Sequence, residues 1–550
     1  MEIKKDPESI QQEFEAGQQY KSAVGVYKNF EINEAFYVGD QWRGVDADDM
    51  PKPVVNALRR VVSMRIAKVV TSDWVVQFTP FQSDEHAESV GKMLSAQVDN
   101  VIERLNLKAK MRSAQRNECV DGDACLYFDF DSDAPSGMNV PGMLTATLIE
   151  NINVYFGNRY SRDVQSQPYI IVHQRLFLGD VQDEARENGV PEDEAASIRA
   201  DNDEHQLETD SPTDLVSVLT KYWREQGTIH AIRVCKDLVI RKEWDTGLKL
   251  YPFTWSSWET IKSSYHGQAM LTGLIDNQIA INKAWAGIIW QSLKTGFSQP
   301  VINKDVIPKW DGSPGQIIEA RGPVSDVRNA VMYLEAAPVP MSVINAMDSL
   351  MSSTRDCMGA SDATLGNVNP DNASAIIALQ QADEQPLELS KQAYRDCVED
   401  ACRIIADFIR AKYGKRKVMM DVPDETDQSN TTQQLVEFDF SSLDDLQMTM
   451  RVDVGSSSLY SEQLQVQTLS NIFQSGLLQN PAELAMYLET MPERLIPARQ
   501  KFMNYAKSML KQMLQPAEEP MQGFNSAMLR EDINKTPLNP RVENTSSAQP

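Results

Sequence analysis

The spacing of apolar residues in the N-terminal part of the chain predicts three helices and one strand. Apolar positions recur at helical intervals over residues 8–38, 54–70 and 85–110, although they are sparse in the first of these segments. Residues 73–81, with the sequence DWVVQFTPF, alternate apolar and polar side chains as a strand does. The stretch YVGDQWRGVDADDMPKP predicts a loop between the first two helices, because its prolines stop regular structure.

A block rich in β-branched and aromatic residues follows. Its partial alternation predicts six strands, which lie at residues 124–131, 143–150, 169–177, 214–225, 228–244 and 248–255. Residues 178–207 are acidic and have a helix-like pattern that Pro191 interrupts. The first half of the chain therefore mixes helices with strands.

Two long helices enclosing a short β-rich segment are predicted next. Residues 270–296 form a helix that is apolar over more than one face, with Gly296 as its C-terminal stop. A helix that is apolar around much of its circumference is buried on several sides. Residues 299–335 predict short strands and turns, and residues 340–360 predict the returning helix. This order predicts an excursion out of the main body and back.

The third segment contains a polar loop and the longest helical pattern. The loop begins at Gly359, and the helix runs from about Ser374 to Tyr413 and is closed by Gly414. Pro386 predicts a kink in this helix, because proline removes a backbone hydrogen bond and clashes with the preceding turn. The stretches KVMMDV, LVEFDF and LQMTMRVDVG predict strands, residues 461–514 predict helices, and the Pro-, Asn-, Ser- and Gln-rich end predicts disorder.

Composition narrows the class of protein. The chain has 550 residues, of which 42% are hydrophobic and 24% charged, so it is globular and long enough for roughly two to four domains. Its net charge of −25 argues against a general nucleic-acid or anionic-membrane binder. The same charge is compatible with a protein through which DNA passes without sticking, because like charges repel. No apolar run is long enough to predict a membrane span, and the N-terminus lacks the apolar region of a signal peptide.

The chemical motifs give no support for an enzyme. No P-loop, GxGxxG or HExxH pattern occurs, and the six cysteines are scattered without a CxxC pair, which is typical of a reduced protein. Residues 129–137 imitate the start of a calcium loop, but Ala134 and Val140 stand where that loop needs glycine and glutamate. The five histidines are isolated from one another: His86, His173, His205, His230 and His266. The sequence therefore predicts no catalytic residue, no cofactor and no metal.

The order of elements and three local stretches resemble the portal proteins, or head-to-tail connectors, of tailed bacteriophages. The stretches are FYVGDQWRG followed by PKPVVNALRRVVSMRIAKVVTSD, LYPFTW through YHGQAMLTGLIDNQIAINKA, and FDFSSLDDLQMTMRVDVGSSSLYSEQ. None is a catalytic fingerprint, and their number and order carry the resemblance, which covers about residues 25–515.

The resemblance implies an α+β fold with the family's architecture, assembled as a ring. Its parts are a wing, a two-helix stem, a small β-rich clip, a long kinked helix and a helical crown. The implied boundaries are 1–265 for the N-terminal α/β wing, 266–296 for the first stem helix, 297–335 for the clip, 336–358 for the second stem helix, 359–374 for a tunnel loop, 375–415 for the long kinked helix, 416–456 for wing strands, 457–515 for the crown and 516–550 for a disordered tail.

The resemblance also implies the function and the partners. A homo-oligomeric ring, usually of twelve subunits, sits at one capsid vertex of the virion and is the channel for genome packaging and ejection. The implied partners are double-stranded DNA, bound without sequence preference, the terminase large subunit, head-completion, neck or tail adaptor proteins, and capsid and scaffolding proteins. The resemblance also implies assembly in the host cytoplasm and no association with a membrane. Two alternatives stay open: a viral ring adaptor without DNA conduction, and an enzyme with an unrecognised acidic metal site.

Candidate site residues follow from the same resemblance. Lys294 is a candidate channel cation, and Pro386 marks the helix kink. The tunnel-loop residues that would meet DNA are Asp362, Asn367, Asn369, Asp371 and Asn372. The candidate clip contacts to the motor or neck proteins are Lys304, Lys309, Arg321 and Arg328, although an ordinary mixed surface explains these four cations equally well.

Overall fold

The computed structural model divides the chain into two compact units, Met1–Gly455 and Ser456–Pro550. It describes residues 3–46, 50–70, 74–80, 85–135, 140–201, 214–236, 238–296, 299–310, 313, 317, 319–323, 330–334, 340–357, 387–424, 427–445 and 448–454. All described residues belong to the first unit. The predicted tunnel loop, the kink at Pro386, the crown and the tail lie outside them.

Ten α-helices are described. They are α1 Pro7–Val24, α2 Val26–Val38, α3 Ala57–Val69, α4 Glu85–Arg104, α5 Leu107–Asp121, α6 Leu178–Glu187, α7 Glu192–Ala195, α8 Ile275–Thr295, α9 Met341–Cys357 and α10 Glu388–Lys412. Side-chain caps fix two of their starts: the Asp6 carboxylate accepts from the Ser9 N–H at 2.9 Å, and the Asn56 side chain accepts from the Arg59 N–H at 3.0 Å.

Sixteen strands are described, and all their pairings are antiparallel. They are β1 Trp74–Pro80, β2 Asp123–Asp131, β3 Met143–Ile149, β4 Val154–Phe156, β5 Tyr169–Phe177, β6 Leu215–Glu225, β7 Thr228–Cys235, β8 Leu238–Asp245, β9 Phe253–Ser257, β10 Glu259–Thr260, β11 Gly267–Gln268, β12 Gln299–Ile302, β13 Val331–Leu334, β14 Lys415–Asp424, β15 Asp427–Asp439 and β16 Met448–Val454. The larger sheets have the orders β4-β5-β6-β7-β8 and β3-β2-β9, and the other strands form two-stranded pairs.

The main hydrophobic core joins the three-stranded sheet, part of the five-stranded sheet and the helices α4, α5 and α10. Helix α10 contributes one continuous face, because its buried residues recur at helical spacing. That face consists of Tyr394, Cys397, Val398, Ala401, Cys402, Ile405, Phe408 and Ile409. Burial of each large apolar side chain stabilises the fold by about 1.5–3 kcal/mol, so α10 is a central support of the first unit.

Two smaller cores cover the remaining surface of the five-stranded sheet. Ile10 and Phe14 of α1 pack with Tyr155 and the fully buried Trp223. Helices α6 and α7 cover another part of the sheet through a cluster that includes Val181. The acidic segment that begins at residue 178 is therefore docked on the sheet by its few apolar residues, with its acidic side facing solvent.

The α+β class and most predicted elements are confirmed, and several predicted bounds are wrong. The first predicted helix is two helices, because Gly25 has φ +83° and ends α1 in a left-handed cap. The predicted helix 85–110 breaks at Asn106 (φ 50°) and continues as α5 to Asp121. The predicted strand 228–244 is the β7–β8 hairpin, which turns at Lys236 (φ 49°).

Two further bounds differ near the start of α8. The strand predicted over residues 248–255 begins only at Phe253, as β9. The first helix of the excursion begins at Ile275, and not at residue 266 or 270, because β11 pairs with β10 and a 3-10 turn at Thr272–Leu274 precedes the helix.

Candidate functional site

Helices α8 and α9 form a helix pair joined by a small β segment. β12 follows α8, β13 precedes α9, and the two strands pair with Gln299 opposite Leu334 and Ile302 opposite Val331. Within the segment, the Arg321 N–H donates to the Val306 carbonyl at 2.8 Å. The out-and-back excursion predicted from the sequence is therefore present in the described residues.

This helix pair and its β segment carry a concentration of exposed apolar side chains. Eight of them keep 40% or more of their surface accessible: Leu293, Val301, Ile317, Met332, Tyr333, Leu334, Met341 and Val343. Exposed apolar patches on a single chain mark surfaces that contact another molecule. We call this set the apolar excursion surface.

The predicted cations of this region lie on its surface. Lys294 is in the last turn of α8, where its Nζ lies 4.7 Å from the centroid of the Trp290 ring. Lys304, Lys309 and Arg321 are exposed in the segment between β12 and β13. Arg328 lies outside the described residues, as do the five tunnel-loop residues and Pro386. The structure therefore brings three of the four clip cations into one exposed segment.

A buried network of amide side chains fixes α8 to the main body. The Asn282 Nδ2 donates to Gln41 Oε1 at 2.6 Å, and the Gln278 Nε2 donates to Asn282 Oδ1 at 3.0 Å and to the Val55 carbonyl at 2.7 Å. The Gln41 Nε2 in turn donates to the Phe36 carbonyl at 2.9 Å. We call Gln41, Gln278 and Asn282 the amide network.

Sequence reasoning assigned no role to the amide network. Its members lie in two stretches that carried the family resemblance, GDQWRG and DNQIAIN. The signal in the sequence was the pair Gln278 and Asn282, because two residues spaced one helical turn apart share one helix face. The network connects the loop before α3 to the base of the helix pair.

A second buried polar cluster lies where α5 meets β2. The Asp123 Oδ2 accepts from His266 Nδ1 at 2.8 Å, and Asp123 Oδ1 accepts from the Ser257 hydroxyl at 2.6 Å and the Gly267 N–H at 2.7 Å. Burial lowers the pKa of His266, although its hydrogen bond to Asp123 opposes that shift. His266 is therefore neutral near pH 7.

Lys21 of α1 is fully buried beside this cluster. Its Nζ donates to the carbonyls of Asn151 at 2.7 Å, Ile152 at 2.9 Å and Val154 at 2.7 Å, and lies 3.7 Å from the centroid of the Tyr155 ring. Desolvation lowers the pKa of Lys21 well below its ordinary value. Lys21 thus satisfies the carbonyls of the short 3-10 turn that links β3 to β4.

Glu118 is also buried, and it lies on α5, the helix that ends just before Asp123. Its carboxylate accepts from the Ser256 hydroxyl and, at 2.8 Å, from the Gln115 Nε2. Burial raises the pKa of Glu118 to about 7, and the two hydrogen bonds oppose that rise.

One partly exposed group of metal-ligand side chains already has a cationic partner. Among the described residues, Glu225, His230 and Glu243 place ligand atoms within 4.8 Å of one another. The Lys5 ammonium donates to Glu225 Oε2 and to Glu243 Oε1, both at 3.0 Å. These hydrogen bonds raise the pKa of Lys5. The group is explained as an ion-pair cluster that holds the N-terminal segment.

The calcium-like stretch that begins at Asp129 is an ordinary turn in its described part. The Asp131 Oδ1 accepts from the N–H groups of Asp133 at 3.0 Å and Ala134 at 3.2 Å. A side chain that caps its own turn in this way needs no ion.

Comparison with known proteins gives the class. The described residues form an α+β body with a helix pair and a β segment, which is the order of elements expected for a phage connector. The model of a family described as the phage SU10 portal protein matches residues 177–530, more than half of the chain. No curated protein matches the chain.

The chain belongs to the SU10 portal protein family, and it is a portal protein of a tailed phage. A phage portal is a component of the virion capsid. No helix in the described part of the chain is long and apolar enough to cross a membrane.

Proposed function

We propose that this portal protein forms a homo-oligomeric ring at one capsid vertex, that the ring is the channel for genome packaging and ejection, and that it has no enzymatic activity. The observation that carries the proposal is the apolar excursion surface. In a ring, each helix pair gains neighbours on both flanks, which would bury apolar side chains that a lone chain leaves in water.

The charge of the chain supports a conduit. A net charge of −25 disfavours tight binding of phosphate, and each cationic contact to DNA would release counterions and strengthen binding. In this proposal α8 and α9 are the stem helices and residues 359–374 are the tunnel loop that meets DNA. Asp362, Asn367, Asn369, Asp371 and Asn372 would offer that loop polar groups and no cation.

The remaining parts follow the family order. Residues 297–335 would be the clip, which docks the terminase motor during packaging and the neck or tail proteins afterwards. Its exposed cations Lys304, Lys309 and Arg321, with Arg328, would face acidic surfaces of those partners. Residues 457–515 would form the crown inside the capsid. Capsid and scaffolding proteins would surround the wing, with assembly in the host cytoplasm.

Ring formation is tested by native mass spectrometry and electron-microscope class averages of the purified full chain. We expect a closed ring, with twelve subunits as the family's usual number. Tyr333→Asp should reduce the ring population because it places a charge in the apolar excursion surface. Tyr160→Asp is the matched control, since Tyr160 is also exposed (77%, against 57% for Tyr333) but lies in the loop after β4. A wild-type chain that stays a monomer or dimer would refute the proposal.

DNA conduction is tested separately, in packaging reactions with assembled rings. Asp362→Lys with Asp371→Lys should slow or stall DNA movement, because the new cations would bind phosphate. The same change at Asp193 of α7, an exposed carboxylate, should have no effect. Rings that package normally with the lysine-bearing loop would indicate an adaptor without DNA contact at that loop.

A further inference from the structure

A small cavity lies between the α1–α2 junction, the C-terminal end of α5, the 3-10 turn Asn151–Asn153 and β11. Its volume is about 200 Å³. Apolar residues and polar groups share its lining, which consists of Val24, Val26, Asn29, Asp121, Asp123, Asn151, Ile261, His266, Gly267, Gln268, Ala269 and Thr272. The amide network and the apolar excursion surface contribute no residue to it.

His266 presents one ring nitrogen with a free lone pair. It is 1% exposed, and its Nδ1 donates to Asp123 Oδ2 at 2.8 Å. This bond fixes the neutral tautomer that carries its proton on Nδ1, so Nε2 is an acceptor. Nε2 is buried and has no hydrogen-bond partner among the described residues.

Asn151 and Asp121 each have a buried side-chain oxygen that also lacks a hydrogen-bond partner. The Asn151 Nδ2 donates to the Asp121 carbonyl at 3.1 Å, which orients the amide and leaves Oδ1 as the free atom. Asn151 Oδ1 and Asp121 Oδ1 have no partner in the described part of the chain. Among the described cavity-lining residues, the buried side-chain atoms without a partner are therefore His266 Nε2, Asn151 Oδ1 and Asp121 Oδ1, and no amide or ammonium nitrogen is among them.

The charges around Asp121 are predominantly negative. Desolvation raises the pKa of Asp121 to about 8; Arg116 opposes that rise, and the carboxylates of Glu34, Glu150 and Asp123 add to it. Arg116 is itself bound to Glu34 through both carboxylate oxygens. At the Asp121 end of the cavity the carboxylates outnumber the cation, so a positive ion would be favoured there over an anion, whereas at His266 the nearby Lys21 charge acts against it.

Lys21 is the other cation nearby, and it is committed elsewhere. Its ammonium donates to three backbone carbonyls, and Lys21 is not among the cavity-lining residues. It therefore cannot satisfy the free acceptors.

We propose that this cavity binds a divalent transition-metal ion through His266 Nε2, Asp121 Oδ1 and Asn151 Oδ1. One imidazole nitrogen with two oxygens is a ligand set suited to such ions, and water would complete the coordination. Asp123 is the positioning residue, because a carboxylate on the other ring nitrogen orients a metal-bound histidine. The proposal is independent of the proposed ring and channel, and it departs from the sequence prediction of no metal.

The bound ion would join three separate pieces of the chain. Asp121 ends α5, Asn151 begins the 3-10 turn, and His266 lies shortly before α8. The ion would therefore hold the sheet region to the base of the helix pair. Ordered water is the competing occupant, because buried water also satisfies unpaired polar groups.

The test uses the full chain, freed of metal by a chelator and titrated with Co²⁺ and then Zn²⁺ near neutral pH. We expect saturable calorimetric binding of a single ion per chain, a visible Co²⁺ absorption spectrum with nitrogen ligation, and a metal-dependent rise in Tm. His266→Gln and the isosteric Asp121→Asn should each weaken binding by about tenfold or more, and Asp123→Asn by about 10–100-fold. His230→Gln, in the Lys5-paired cluster, is the matched control and should leave binding unchanged.

Absence of saturable binding by wild-type protein at millimolar Co²⁺ would overturn the proposal, whatever the variants do. Binding that survives both His266→Gln and Asp121→Asn would also overturn it. A high-resolution map of Zn²⁺-soaked protein that shows only water in the cavity would assign the free acceptors to solvent instead.

Discussion

The amide network predicts a measurable energetic coupling between the loop before α3 and helix α8. Replacing Asn282 by alanine removes three hydrogen bonds. Asn282 Nδ2 no longer donates to Gln41 Oε1 at 2.6 Å. Asn282 Oδ1 no longer accepts from Gln278 Nε2 at 3.0 Å or from the Val55 N–H at 3.4 Å. Asn282 is 2% exposed, so water cannot readily replace it. The Gln278 Nε2 keeps its bond to the Val55 carbonyl at 2.7 Å.

The cost follows from the groups left unpaired. Asn282→Ala strands the buried Gln41 Oε1 and the half-buried Val55 N–H, and a stranded buried group costs about 1–3 kcal/mol. We therefore expect a loss of about 2–4 kcal/mol. Gln41→Ala strands the Asn282 Nδ2 and leaves the Phe36 carbonyl with only the longer bond from the Asn56 Nδ2 at 3.4 Å, so it should cost a similar amount or slightly less. Both single changes break the same Asn282–Gln41 bond, so the double variant should lose about 1–2 kcal/mol less than the sum.

Urea unfolding of the four proteins gives the coupling, and hydrogen exchange locates it. Amides at the start of α8 should exchange about tenfold faster for each 1.4 kcal/mol of local stability lost. Lys283→Ala is the matched control, because Lys283 is the exposed neighbour on the same helix, and its change should stay within about 0.5 kcal/mol. If Asn282→Ala lies within that range, or if the two changes are simply additive, the network does not hold α8.

Three further outcomes follow from buried groups elsewhere. Burial raises the pKa of Glu118 to about 7 from an ordinary 4.5, so the folded state binds the proton of Glu118 more tightly than the unfolded state does. The free energy of unfolding should therefore fall by roughly 3 kcal/mol as the pH rises from 4.5 to about 7. Glu118→Gln should flatten the curve of Tm against pH. Lys21→Met should lower the urea midpoint by an amount equivalent to about 3 kcal/mol or more, since three carbonyls lose their donor; an unchanged midpoint would contradict this role. Gly91→Ala should destabilise the fold by about 1–3 kcal/mol, because a Cβ at this position would lie 2.6 Å from the Phe78 carbonyl oxygen. Gly287→Ala is the control: Gly287 has open space around it, so this change should be neutral or slightly stabilising in a thermal melt.

The parts of the fold that the sequence predicted are those set by local periodicity. Alternation located β5 and β6, and helical spacing located α8 and α9 within a few residues. Points where a helix ends although the apolar spacing continues could not be recognised in the sequence. Leu105 and Leu107 are both buried on either side of Asn106, so apolar spacing runs through the point where the backbone turns.

The candidate site was predictable only in outline. The helix pair and its exposed cations follow from composition and order, because they depend on residues near one another in the chain. The amide network and the His266 cavity depend on contacts between residues far apart in sequence, such as Gln41 with Asn282. An isolated amide or histidine on an amphipathic element looks the same in sequence whether it is solvated or buried with a partner, so no local pattern could have assigned these residues.

The part of the chain before the family match is integral to the fold of the first unit. The match begins at residue 177, yet β1 pairs along its whole length with β16, from Trp74 opposite Val454 to Pro80 opposite Met448. Loop residue Gln41 binds α8, and α1 packs on the five-stranded sheet. Without the residues before 177, β16 would lose its partner strand and the amide network would lose its acceptor. Because strands and buried amides need those partners, the N-terminal region and the matched residues up to 455 fold as one unit, and any position of the helix pair in a ring is set by both.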